Sequence, residues 1–246
     1  MKVCLIVLII VILTSMIAGQ EQKVLTAEDF AKGNVDRGSG RESLALKIQI
    51  NKRLPPYTIH IIPDPAASDS EGSDIRLHHV GWIEISAGES NSILQKIDIH
   101  TRAWVSNLTG YFTAEDVNFD GFIDIAVVND YGAKWVSVSY WLYDKRTGRF
   151  ITSPLTKELK RITHAERELD NKTKQIRFTD YIGVCPQNKT YKVTGGHLLL
   201  MEKEEKVCTW KGKEVLIKTI VKKRINGRMK LVKLTRETEE ATGMLE

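Results

Sequence analysis

The chain has 246 residues, of which 42% are hydrophobic and 27% charged, and its net charge is +5. This is the make-up of an ordinary globular protein of one sizeable domain or two small ones. Past the N-terminus no stretch is long and apolar enough to span a bilayer as a helix, which excludes a protein of several membrane-spanning helices.

Lys2, the apolar run Cys4 to Leu13 and the small residues Thr14, Ser15, Ala18 and Gly19 read as a secretory signal peptide, residues 1–19. An uncleaved anchor is the rival reading, but the apolar run is short for a span. Residues 20–45 are polar and glycine-bearing and read as a flexible lead, with a short helical piece near Ala27 to Lys32. Residues 46–246 then form one β-rich domain. Leu46 to Ile50 alternates apolar and polar, Tyr57 to Ile62 is β-branched behind Pro55 and Pro56, and Pro63 to Ser73 is a loop. Val80 to Ser86 and Ile93 to Ile99 are strands. A turn-rich stretch from Asp116 runs directly into the strand Ile123 to Val128, and Ser137 to Tyr143 follows. Leu155 to Glu168 has some helical character after Pro154. Lys174 to Thr179, Thr190 to Val193, Leu198 to Glu202 and Val207 to Trp210 continue the β series. Asn226-Gly227 joins Val215 to Ile225 with Met229 to Leu234 as a hairpin, because both residues tolerate positive φ. The predicted class is all-β, mainly antiparallel and sandwich-like, with at most one or two short helices.

Cysteine usage agrees with export. Cys4 leaves with the signal, and the pair Cys185 and Cys208 predicts one disulfide, the alternative being two buried thiols. From Lys211 to Arg236 there are ten basic residues and one acid, Glu214. Export argues against nucleic acid as the partner of that stretch. Val215, Ile217, Ile220 and Val221 interleave with Lys218, Lys222 and Lys223, as on a solvated strand face.

The stretch Asp116-Val117-Asn118-Phe119-Asp120-Gly121-Phe122-Ile123-Asp124 reads D-x-N-x-D-G-x-x-D, a calcium-loop pattern. Ca²⁺ takes six to eight oxygens at roughly 2.3–2.6 Å, and Asp116, Asn118, Asp120 and Asp124 with the Phe122 carbonyl offer such hard donors. The bidentate Glu of a helix-loop-helix site is missing, since Val127 stands at position twelve. A strand rather than a helix follows, so the loop is expected to enter a strand with Asp124 as its last ligand. The competing reading is an Asp/Asn-rich turn that binds nothing. No G-x-S-x-G, H-E-x-x-H or P-loop is present. His78 and His79 are neighbours that point to opposite faces of a strand. Glu84 and Asp98 have no marked acid/base partner. The chain is therefore read as a non-enzyme with no catalytic residues.

The loop, the strand after it, Gly132, Tyr140-Trp141-Leu142-Tyr143-Asp144 and Thr147-Gly148-Arg149-Phe150 together resemble a family of exported bacterial proteins. These are the calcium-loop-bearing immunity proteins against lysozyme-like effectors of killing type IV secretion systems, related in fold to type I periplasmic lysozyme inhibitors. Leu169 to Ile176 and the segment Tyr191 to His197 also fit. The resemblance covers roughly residues 110–210 and is weak before Gly81. It implies a periplasmic or secreted β-sandwich-like protein, stabilised by Ca²⁺, that occludes the cleft of a lysozyme-like glycosidase with a protruding loop. Here that loop corresponds to Tyr131-Gly132-Ala133-Lys134-Trp135. Gly132 matches, but Tyr131 stands at the expected Ser, and Lys134 or Trp135 at the expected Tyr. Lys134 would offer a charge-assisted bond and Trp135 an aromatic anchor, unless Trp135 only packs under the loop. A basic lysozyme would require an acidic face, for which Asp69, Glu71, Asp74, Asp116, Asp130 and Asp180 are candidates. The alternative is a generic extracellular or periplasmic binding module with a structural calcium loop and a glycan or protein ligand.

Overall fold

The computed structural model describes residues 24–25, 44–64, 79–88, 92–101, 112–212 and 214–240. The signal segment, the helical piece expected near Ala27 to Lys32, and Asp69, Glu71, Asp74 and His78 lie outside them. Within the described residues, fifteen strands and one helix form three sheets. The first holds β1 (Val24–Leu25), β2 (Leu44–Ile48), β3 (Tyr57–Pro63), β4 (Val80–Ala87) and β5 (Gln95–Asp98). The second holds β6 (Phe112–Glu115), β7 (Asp124–Gly132), β8 (Trp135–Asp144) and β9 (Arg149–Ile151). Helix α1 (Pro154–Lys160) leads to the third sheet. That sheet holds β10 (Glu166–Asp170), β11 (Gln175–Ile182), β12 (Cys185–Thr194), β13 (His197–Lys211), β14 (Glu214–Ile225) and β15 (Arg228–Glu240). Every pairing is antiparallel except β1 on β2, so the class is all-β and sandwich-like, with one short helix. Among the described residues no helix is long and apolar enough to cross a membrane.

The second sheet is the middle layer. One face meets the first sheet in a core of Ile48, Ile59, Ile83, Ile85, Ile125, Val127, Tyr143 and Phe150. The other meets α1 and the third sheet in a core of Ala126, Val138, Tyr140, Leu155, Leu159, Ile176 and Phe178. Burial on both faces explains the unbroken run Ile125-Ala126-Val127-Val128, which a strand wetted on one face would not carry. The described residues before Gly81 thus share a core with the loop-bearing sheet but pair into the first sheet, together with β4 and β5.

Three expectations are corrected. Val24–Leu25 and Leu44 lie in strands, not in the lead. The helix ends at Lys160, and Glu166–Asp170 is a strand. Ser153 and Thr156 form a capping box and Pro154 begins the helix, whose Leu155 and Leu159 share one buried face. The charged run Glu202 to Lys206 does not interrupt β13, because few of its residues meet a dry core and either face of the strand can carry charge. As expected, Ile225 pairs with Arg228 around Asn226 (φ 50°) and Gly227 (φ 79°).

His164 bridges the middle and third sheets. It pairs with Val136, is 4% exposed, and meets the Phe178 ring edge-on at 5.0 Å. Burial holds its pKa below the ordinary 6.5, against the opposing pull of the Ile162 carbonyl and the Asp180 charge. The unfolded chain therefore takes up this proton first as pH falls. Stability present above the unfolded value is lost as pH drops through the folded one. Going from pH 7 to pH 5 should therefore lower the melting temperature of the wild type relative to that of His164→Phe. Parallel curves for the two proteins would rule the histidine out as the cause.

Candidate metal loop and hairpin tip

The loop 116–124 is built by alternation. Val117 and Phe119 bury themselves in the core shared with the third sheet. Phe122 and Ile123 pack against the core shared with the first. The polar residues between them are left to organise the turn. Asp116 accepts the N–H groups of Asp120 (3.0 Å) and Gly121 (2.7 Å). Asn118 Oδ1 accepts Asp120 N–H at 2.9 Å, and Asp120 Oδ1 accepts Phe122 N–H at 3.0 Å. Gly121 sits at φ 89° with open space where a Cβ would lie, so its backbone conformation is what calls for glycine. Phe119 adopts φ 60°, a cost that its burial offsets.

Asp124 is the base of the loop. It is 1% exposed, accepting Tyr143 N–H on Oδ1 (2.8 Å) and Val117 N–H on Oδ2 (3.1 Å). One carboxylate thus ties both ends of the loop to β8. Burial, then the charges of Asp120 and Asp116, push its pKa up to about 8 against the pull of those N–H groups. Burial also raises the pKa of Asp116, with a smaller contribution from Asp120. No described lysine, arginine or histidine pairs with Asp124. A buried carboxylate beside two others and lacking a counter-charge fits a hard cation by donor chemistry. Among the described residues, however, no three His, Cys, Asp or Glu side chains converge closely enough to hold a metal by themselves. A cation here would draw on Asn118 and the Phe122 carbonyl as well as on Asp116, Asp120 and Asp124.

Contacts from two distant parts of the chain, which the sequence did not announce, hold this loop in place. Asn51, between β2 and β3, donates to the Gly121 carbonyl at 2.8 Å, and Ile123 N–H donates to the Ile50 carbonyl at 2.9 Å. Arg167 of β10 reaches back to Glu115, the residue just before the loop, and to the Tyr140 hydroxyl at 3.1 Å. Burial lowers the Arg167 pKa to about 10. No local pattern marks either partner, since 70 residues separate Asn51 from Gly121.

Tyr131 to Trp135 form the tip of the β7–β8 hairpin, with Gly132 paired to Trp135 around Ala133 and Lys134. Tyr131 is 44% exposed and Trp135 38%. The indole lies where a Cβ on Gly132 would be, so this glycine is needed for close approach. Trp135 therefore both packs over its own turn and presents a surface. Lys134 does not point free into solvent: its Nζ donates to the Gly183 carbonyl at 2.7 Å. Gly183 (φ 64°) lies in the β11–β12 turn, a hairpin the sequence reading did not identify. That second tip exposes Ile182 (71%) and Val184 (47%). Cys185 at its base is bonded to Cys208 of β13, with the Cα atoms 6.1 Å apart. Asp130 and Asp180 each accept the N–H of the next residue beside these tips.

No family model matches the chain, and no curated protein matches it. A solved structure of a Xanthomonas type IV secretion system related protein superposes with a TM-score of 0.51, at 14% identity, over 80% of this chain and 97% of that one. At that identity the likeness is one of fold.

Proposed function

We propose that this protein is an exported, calcium-stabilised binding protein that occludes the active cleft of a lysozyme-like peptidoglycan glycosidase and has no catalytic activity of its own. The observation that carries the reading is the β7–β8 tip. There, Tyr131 and Trp135 stand exposed on a short hairpin that Lys134 fastens to a second hairpin. Exposed aromatics held rigidly lose little freedom on docking, and such residues dominate protein interfaces. Asp130 and Asp180 beside the tips supply negative charge, which suits a basic partner and speeds its encounter. The fold likeness to a type IV secretion system related protein supports a role in that setting. Calcium held by Asp116, Asn118, Asp120, the Phe122 carbonyl and Asp124 would neutralise the buried charge of Asp124. It would thereby stiffen the entry to β7, whose far end is the working tip.

The test is direct. Mature protein is mixed with a panel of lysozymes and secreted muramidases, and peptidoglycan lysis and co-elution are measured. Inhibition of at least one member with a complex on a sizing column is expected. Absence of both across the panel would sink the proposal.

A further inference from the structure

Three turns from distant parts of the chain meet around one open groove of about 820 Å³. They are the segment 49–54 between β2 and β3, the end of the acidic loop at 121–123, and the β8–β9 turn at Lys145. The volume is that of a small-molecule site. Its apolar lining includes Leu54, Phe122 and Tyr143, the last two stacked with ring centres 5.5 Å apart and 18° between planes. Lys52, Arg53 and Lys145 stand at the groove, all exposed, and none is ion-paired among the described residues.

The walls are already organised. Gln49 Nε2 donates to the carbonyls of Asn51 and Leu54, both at 2.6 Å. Asn51 Oδ1 accepts Arg53 N–H at 3.1 Å, and its amide holds the Gly121 carbonyl at 2.8 Å. The Asp144 side chain fixes the third turn through Arg146 N–H at 3.0 Å and the Thr147 hydroxyl at 2.9 Å. The polar groups that shape these turns are thus largely satisfied within the turns. The three cations are what is left to meet a ligand, and little ordering is needed to meet it.

We propose that this groove binds a carboxylate-bearing oligosaccharide. Lys52 and Arg53 on one wall and Lys145 on another can pair with carboxylates, and the aromatic and aliphatic lining suits the apolar face of a pyranose ring. Three cations at one groove suit a few carboxylates rather than a continuous polyanion such as a nucleic acid, which needs a long basic track. This inference stands on the groove alone and does not depend on glycosidase inhibition.

The experiment is calorimetric titration of the mature protein with tri-galacturonate, its methyl ester, soluble muropeptides, a neutral chito-oligosaccharide and a short oligonucleotide. Binding to tri-galacturonate or to muropeptides is expected, and which of them binds identifies the source of the carboxylate. Methyl esterification, or the double variant Lys52→Glu/Lys145→Glu, should weaken binding by roughly tenfold or more. The melting temperature of the variant should match the wild type, because both lysines are exposed. Equal affinity for the neutral sugars, a dissociation constant indifferent to charge reversal, or no binding to any acidic saccharide would overturn the proposal. Oligonucleotide binding without saccharide binding would overturn it too.

Discussion

Replacing Asp124 with alanine should lower the free energy of unfolding by about 3 kcal/mol or more. The carboxylate accepts the N–H groups of Val117 and Tyr143 in a site 1% exposed. Each buried donor left without an acceptor costs about 1–3 kcal/mol. For a chain of this size that corresponds to a fall of roughly 6–12 °C in melting temperature. Asp124→Asn separates anchor from charge. The amide oxygen still accepts one N–H, while the charge that burial and its neighbours disfavour is gone. In chelator, the asparagine variant should therefore melt close to the wild type. With calcium present, the wild type alone should gain, by about 2.7 kcal/mol when the free metal is one hundred times its dissociation constant. Melting curves of the three proteins with and without chelator decide both points. A wild-type midpoint that ignores chelator removes the calcium site, and an alanine variant as stable as the wild type removes the anchor.

Trp135→Ala should raise the inhibition constant against the target glycosidase by roughly thirtyfold, since an aromatic hot spot is typically worth about 2 kcal/mol or more. The change should lower stability less than it weakens binding, because Trp135 is 38% exposed and packs over its own hairpin turn. Gly132→Ala should act in the same direction without removing the aromatic ring. An added Cβ meets the indole and must push it aside. Lys134→Met supplies the third arm: it frees the Gly183 carbonyl and lets the two tips move independently, which should speed dissociation more than it slows association. If all three variants inhibit as the wild type does, the β7–β8 tip is not the working surface.

Some of this architecture was legible in the residues. β2 follows from period-two patterning and β3 from a β-branched run behind Pro55 and Pro56, because one face of each meets a core. β10 did not show itself. Glu-Arg-Glu-Leu-Asp carries an inward-facing arginine, which makes sense only once Glu115 and Tyr140 of the neighbouring sheet are seen to receive it. The resemblance directs Lys134 toward a partner's carboxylate, and only the structure shows that its Nζ holds the carbonyl of Gly183, 49 residues away.

The sequence by itself determined the strands that alternate, the Asn226-Gly227 hairpin, the turn at Gly121 and the order of the loop's oxygen donors. Each of these rests on φ/ψ preference or side-chain periodicity within about ten residues. Only the tertiary structure decided that the loop-bearing sheet is a middle layer, that Asp124 is sealed at its edge, and that three distant turns close one cationic groove. Those facts depend on which faces stack against which. Stacking is set by summed apolar burial across the whole chain, a quantity that no local pattern encodes.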